Sequence, residues 1–228
     1  MLTNIEYLFV TKHNIVSYFK SKLNQKNMLN IRPLKSYQNT TPGCSGNGIS
    51  IGQNGIPIDM LNPDYKKITE YCTLERFATA TSRIVRYRGE NGVTVSQHSV
   101  RGADFFLLAG EPLNAKYFLY HDVVEIMTGD MSAPIKSLPE IKSKIKEIEY
   151  KLEEMIFKSL GLDFPLPPEI KQLDLNLAQD EMFDMFHGYT YPNIWDEQTA
   201  YNNFINMSTK IDLYLDLYYN KRNPKTIL

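Results

Sequence analysis

Tyr120-His121-Asp122-Val123-Val124-Glu125-Ile126-Met127-Thr128-Gly129-Asp130 is the stretch on which the reading of this chain turns. As a helix it places His121, Glu125 and Thr128 at i, i+4 and i+7, on one face. Asp122 stands beside them, and Asp130 follows where Gly129 lets the chain leave the helix. The other side chains are Tyr, Val, Ile and Met. Burying three acids and an imidazole in such a helix costs several kcal/mol unless a cation or hydrogen bonds compensate. A solvated acidic face is the simpler reading of most such patterns. Here the polar residues form one stripe flanked by strong apolar runs, so the stripe reads as a site.

Working outward, helical spacing dominates from Thr73 onward. Thr73 caps a helix whose apolar face is Leu74, Phe77, Ala78, Thr81 and Ile84 or Val85. A loop from Gly89 to Gly92 leads to a second helix, Val95 to Ala109, stopped by Gly110. Pro112 suits the first turn of a third, running to about Thr128. Ser137-Leu138-Pro139-Glu140 has a capping-box pattern, and the helix after it turns Ile141, Ile145, Ile148, Leu152, Met155 and Ile156 inward as far as Gly161. Two more span Pro168 to about His187 and Asp196 to Tyr218. Earlier, Ile49 and Ile51, then Asn54-Gly55, then Ile56 and Ile58 form a hairpin signature. Before it, Ile5, Leu8, Phe9, Val16, Phe19 and Leu23 follow helical spacing. The expected architecture is all-α: a helical bundle over residues 48–228 with a small N-terminal β-hairpin, and an extension over 1–47 made of a helix and a Gly/Pro-rich loop.

Composition narrows the function classes. The 228 residues carry 25 basic and 26 acidic side chains, net charge −1, which argues against a nucleic-acid coat or a binder of anionic lipid. Cys44 and Cys72 are too few for a disulfide framework and lack metal-ligand spacing. The N-terminus has no basic n-region, and no apolar run approaches the roughly 20 residues of a bilayer span. The expectation is a soluble, cytoplasmic protein, in the host cytoplasm if phage-encoded.

His98, on the second helix with Gly102 and Phe105, and Asp174, sharing a face with Leu177 and Glu181, would each be unremarkable alone. In the order His98, His121-Asp122, Asp174, all on helices, the chain resembles the HD superfamily of metal-dependent phosphohydrolases. Val95-Ser96-Gln97-His98-Ser99 resembles the first-histidine motif. The string from Tyr120 to Asp130 is similar to that of bacterial 5′-deoxynucleotidases, and Ser132-Ala133-Pro134-Ile135-Lys136 to the Pro-x-Lys that follows it. Ile58-Asp59-Met60-Leu61-Asn62-Pro63 and Ser82-Arg83-Ile84-Val85-Arg86-Tyr87-Arg88-Gly89 resemble the entry to phage-encoded and bacterial members.

The resemblance implies one divalent metal held by His98, His121, Asp122 and Asp174. Two imidazoles and two carboxylates suit Mn, Co, Fe or Zn, with Mg also possible, and leave positions for water and a phosphate oxygen. It further implies that Glu125 orients or deprotonates the attacking water and that Arg83, fifteen residues before His98, binds phosphate through two guanidinium bonds. Arg86 and Arg88 rank below Arg83, as residues of a solvated loop. Asp130 corresponds to the residue that accepts a hydrogen bond from the sugar 3′-hydroxyl and counts among the catalytic pair with Glu125. Thr128 lines the same wall, and Lys136 contacts substrate. The deoxynucleotidases follow the Arg with a Trp that crowds the sugar's 2′ position; here Ile84 stands there and the single Trp is Trp195.

Three functions follow. The first is hydrolysis of deoxynucleoside 5′-monophosphates. The second is a deoxynucleoside triphosphate triphosphohydrolase, acting for example on dATP, with Lys116, Lys136 and the arginines at 83, 86 and 88 as available cations. The third is a non-catalytic nucleotide-binding module, which would have no use for a water-activating Glu125. Expected partners are the deoxynucleotide and a second copy of the chain as a dimer, with no stable nucleic-acid or membrane contact.

Overall fold

The computed structural model describes residues 49–51, 57–187 and 193–222. The expected extension over 1–47, Cys44 and the Asn54-Gly55 turn lie outside them. Strands β1 (Ile49–Ile51) and β2 (Pro57–Asp59) pair antiparallel, with Ser50 opposite Ile58 and Ile51 opposite Pro57. A two-residue turn at Asn54-Gly55 would instead set Ile51 opposite Ile58. The hairpin is therefore present with its register one residue from the expected one.

Among the described residues, apart from an isolated antiparallel bridge between Val85 and Thr94, the remaining regular structure is helical: α1 (Tyr65–Tyr71), α2 (Leu74–Thr81), α3 (Val95–Leu108), α4 (Pro112–Tyr120), α5 (Glu125–Thr128), α6 (Ala133–Lys136), α7 (Pro139–Ser159), α8 (Pro168–Phe186) and α9 (Glu197–Arg222), with a short 3₁₀ turn at Tyr87–Gly89. The all-α bundle expected from the sequence is the observed architecture. Side chains set several of the boundaries. Asp64 accepts from Lys67 N to open α1, Thr73 from Arg76 N to open α2, and Thr94 from Gln97 N to open α3. Gly110 and Gly161, at φ +79° and +68°, follow the ends of α3 and α7, a conformation that costs glycine little.

Helices α3, α4 and α9 pack on one another at the centre, with α2 against α9, α1 against α7, and α8 against α3 and α4. Phe77, Phe118, Phe157 and Phe204 are fully buried there, with Ile58 reaching in from β2. Burying a side chain of this kind contributes about 1.5–3 kcal/mol, against about 1 kcal/mol for a typical cap. Core packing, not capping, holds the bundle together. Among the described residues, no helix is long and apolar enough to cross a membrane.

Some expectations need correction. α1 is an additional helix, too short for its periodicity to register in sequence. Ser137 makes no capping box: its hydroxyl donates to the Pro134 carbonyl, and α7 starts at Pro139 without a side-chain cap. Phe105 does not share His98's buried side; it is 57% exposed, and Phe106 points inward instead. Most important, the helix expected from Pro112 to Thr128 breaks at His121.

Gly102 marks the tightest contact between α3 and α4. A Cβ there would lie 2.1 Å from Phe118 Cε1, so the helices approach this closely only with glycine at the crossing. Gly102→Ala is expected to destabilise by about 1–3 kcal/mol, the usual cost of overpacking, seen as a lower Tm. Phe118 also touches both histidine rings, at centroid distances of 5.6 Å for His98 and 4.4 Å for His121. The same variant should therefore bind metal more weakly. An unchanged Tm would show that the Phe118 ring moves aside without cost.

Candidate metal centre

His98 enters the site from α3, three residues past its first turn's start, and Asp174 from α8. His121 and Asp122 come from the segment between α4 and α5, where the chain departs from a regular α-helix. There the bonds are of the i→i+3 type: Val123 N to Tyr120 O at 3.2 Å, Glu125 N to Asp122 O at 3.0 Å and Ile126 N to Val123 O at 3.1 Å. His121 Nδ1 donates to the Phe118 carbonyl at 2.7 Å, drawing the ring onto the end of α4. In tighter winding, residues three apart eclipse, so Glu125 lies over Asp122. The two adjacent residues His121 and Asp122 both reach one point on this segment.

One potential donor atom from each of His98, His121, Asp122 and Asp174 lies within 4.8 Å of the others. His98 Nε2 is 3.3 Å from Asp174 Oδ1; His121 Nε2 is 3.2 Å from Asp122 Oδ2 and 3.7 Å from Asp174 Oδ1. Both Nε2 atoms are buried and have no hydrogen-bond partner. Each ring is instead held by its other nitrogen. His98 Nδ1 donates to Glu181 Oε1 at 3.0 Å, as His121 Nδ1 does to Phe118 O. The carboxylates are anchored likewise: Arg86 Nη1 donates to Asp122 Oδ2 at 3.0 Å, and Lys171 Nζ to Asp174 Oδ2 at 2.6 Å. Two convergent imidazole nitrogens that make no hydrogen bond and face two carboxylates fit a divalent transition ion. Asp174, His121 and Glu125 are all 8% exposed and His98 is sealed.

The electrostatics follow from that crowding. Burial opposes the charged imidazole of His121, but Asp122 and Asp174 outweigh it and push the group from 6.5 up to about 10. Burial likewise works against the charged carboxylates of Asp122 and Asp174, yet the histidines, with Arg86 at Asp122 and Lys171 at Asp174, hold both well below the usual range. Glu125 goes the other way. Its burial and the charges of Asp122 and Asp130 push it up to about 9, and its Oε2 is buried without a partner.

A prediction arises here. In the metal-free protein His121 is charged at neutral pH, so an ion taking Nε2 must displace a proton. Titrating metal-stripped protein with Mn at pH 7, in buffers of different ionisation heat, should reveal at least one proton released per ion. Affinity should rise with pH up to about 10, the value to which His121 is shifted. Proton-neutral binding would mean that His121 is not a ligand.

The other candidates are distributed around this cluster. Thr128 Oγ1 donates to Val124 O at 3.4 Å and Gly129 O at 3.3 Å. Asp130 is half-buried and acts on Glu125 through its charge. Lys136 Nζ pairs with Glu149 Oε1 at 2.8 Å; burial works against its charge, but Glu149, then Glu125 and Asp122, raise its pKa. Arg83 lies at the surface, its Nε donating to Glu197 Oε1 at 2.7 Å. Arg86 is not on a solvated loop: its side chain is 12% exposed and pairs with both Asp122 and Glu181. Trp195, though distant in sequence, is tied to the residue before His98, since its backbone N–H donates to Gln97 Oε1 at 3.1 Å. Cys72 is buried, its thiol pushed up to about 12, and takes no part.

Three acids went unassigned in the sequence reading. Glu181 is completely buried. Glu149 pairs with Lys136, and Glu153 is pushed up to about 7 by burial and then by Glu149 and Asp122. The available signal for the last two was their position beside the inward residues Ile148, Leu152 and Ile156 of α7. For Glu181 it was the face shared with Asp174.

Residues 112–220, just under half of the chain, match the family described as 5′-deoxynucleotidase YfbR-like. This chain resembles a 5′-deoxynucleotidase-type phosphohydrolase. The matching stretch contains His121, Asp122, Glu125 and Asp174; it begins after Arg83 and His98, whose likeness rests on their own motifs. No curated protein matches the chain.

Proposed function

We propose that the chain hydrolyses deoxynucleoside 5′-monophosphates to deoxynucleoside and phosphate at the His98–His121–Asp122–Asp174 cluster. The observation that carries this is the pair of buried Nε2 atoms that make no hydrogen bond and converge on two carboxylates, with Glu125 one short helical step away. A divalent ion held by those four residues supplies Lewis acidity toward the phosphate and toward water. In this reading Glu125 is the proton acceptor: burial and neighbouring acids hold it as the neutral acid in the metal-free fold, and the charge of a bound ion would bring its pKa down toward the working pH, where a buried carboxylate serves as a base. Arg83 leaves Glu197 to grip the phosphate, Lys136 adds a second positive charge, and Asp130 with Thr128 receives the sugar. We place the enzyme in the cytoplasm as a dimer.

Paired charge favours a monophosphate over a triphosphate. Lys116 pairs with Asp212, Lys136 with Glu149, Arg83 with Glu197, and Arg86 with Asp122 and Glu181. Of the cations considered for a triphosphate, these four already face carboxylates. Glu149 and Glu153 add negative charge on the α7 side. The test is release of phosphate against release of triphosphate from the common ribo- and deoxynucleotides, with Mn, Co and Mg in turn. Phosphate from deoxynucleoside monophosphates is expected. Triphosphate release would overturn the substrate assignment, and neither product with any metal would favour the binding-module reading.

A further inference from the structure

Resting on the metal site of that reading, we propose that Glu181 and Arg86 are positioning residues that lock His98 and Asp122 into one metal-ready geometry. Glu181 lies on α8, two turns beyond Asp174, and its side chain is wholly buried. A carboxylate sealed from water costs several kcal/mol unless its oxygens are satisfied. Here both are. Oε1 accepts from His98 Nδ1 at 3.0 Å; Oε2 accepts from the Tyr87 hydroxyl at 3.0 Å and lies 3.3 Å from Arg86 Nε. Arg86 then reaches past Glu181 to Asp122 Oδ2 through Nη1 at 3.0 Å. One unbroken chain of contacts, His98–Glu181–Arg86–Asp122, links ligand-bearing segments on both sides of the site.

The backbone supports this arrangement at some cost. Tyr87 and Arg88 have φ of +54° and +57°, directly after Arg86. Residues other than glycine held there cost of order 1–3 kcal/mol each and persist only where surroundings over-determine them. The Tyr87 bonds to Glu181 and to the Ala178 carbonyl are those surroundings. Beside this turn the Arg86 guanidinium, whose fork suits two carboxylates at once, is 12% exposed and faces both Asp122 and Glu181.

Glu181 fixes the His98 ring so that Nε2 faces the cluster, and its negative charge makes the imidazole a stronger donor. Arg86 offsets Glu181 and holds Asp122 at one oxygen. Outer partners of this sort are worth about 10–100-fold in metal affinity.

The experiment measures Mn affinity of the metal-stripped full chain by calorimetry, alongside Tm, for Glu181→Ala, Glu181→Gln, Tyr87→Phe and His98→Ala. Glu181→Ala should weaken binding by about 10–100-fold. Glu181→Gln should recover part of that, because an amide oxygen still accepts from Nδ1, and excess Mn should restore occupancy in both. If Glu181→Ala does not fold, Glu181→Gln and Tyr87→Phe carry the test with smaller losses of affinity. A lower Tm with Mn affinity within twofold of the parent, in all three, overturns the proposal and leaves the metal site standing. Full binding by His98→Ala overturns the site itself, and with it the hydrolase reading.

Discussion

Glu125→Ala is expected to lower kcat by about 10²–10⁴-fold, the usual contribution of a positioned general base, while KM changes little and the metal stays bound. The expectation follows from where Glu125 sits. It follows Asp122 by three residues on 3₁₀-like winding, outside the four-residue cluster, with one buried oxygen unpartnered. An interaction made mainly in the transition state lowers kcat and kcat/KM together. Arg83→Ala should differ, raising KM as kcat falls, because a phosphate grip acts in both ground and transition states. Metal loss in Glu125→Ala would make Glu125 a ligand and pass the proton-accepting role to Asp130. Equal small effects from both substitutions would reduce this face to a polar stripe.

Stability offers an independent check on Glu125. Its pKa in the metal-free fold is raised from 4.5 to about 9. The folded state therefore holds a proton that the unfolded state has lost across that interval, and stability falls as pH rises through it. Glu125→Gln removes the dependence. The metal-free variant should gain Tm over the parent progressively from pH 4.5 toward pH 9, with little gain below pH 4.5. An added divalent ion should shrink the difference, since a nearby cation favours the carboxylate.

The sequence made the bundle legible because helix signals are local. Thr73, Gly110, Pro112 and Gly161 all act at the positions their chemistry suggests. The cluster was legible in two ways: His121 and Asp122 belong to a polar stripe on an otherwise apolar helix, whereas His98 and Asp174, unremarkable alone, joined them only through the resemblance to the HD superfamily. What local patterning could not carry was the break at His121. At the break a side chain takes a backbone carbonyl, His121 Nδ1 to Phe118 O, and nothing in a periodicity count distinguishes that from continued helix. The partners of the cluster were hidden more deeply. Arg86, like Arg88, reads as a residue of a solvated loop, and only its long-range pairing with Asp122 and Glu181 marks it as buried. Glu181 lies eighty-three residues from the histidine it holds, a pairing that only the packing of α8 on α3 creates.

Removing a ligand should abolish metal binding and turnover together, and Asp174→Ala is the cleanest place to see it. The outer partner of Asp174 is Lys171, whose side chain is 71% exposed, so its removal returns a lysine to water. His98→Ala leaves a cavity at a sealed position and strips one bond from buried Glu181, which adds a packing and desolvation loss. Metal-free Asp174→Ala should accordingly melt closer to the parent than His98→Ala does. Binding only to the folded state stabilises by about 2.7 kcal/mol at a ligand concentration of 100 Kd, so the parent's Tm should climb with added Mn. Both variants should lose that climb along with activity. A full Mn-dependent rise in His98→Ala would remove it from the site. The other histidine among the described residues that the cluster leaves unused, His187, is exposed, stacked on Phe183 with its Nδ1 bonded to the Phe183 carbonyl, and is not placed to replace it. Retention of the rise in Asp174→Ala would instead mean that the two imidazoles and Asp122 hold the ion without α8.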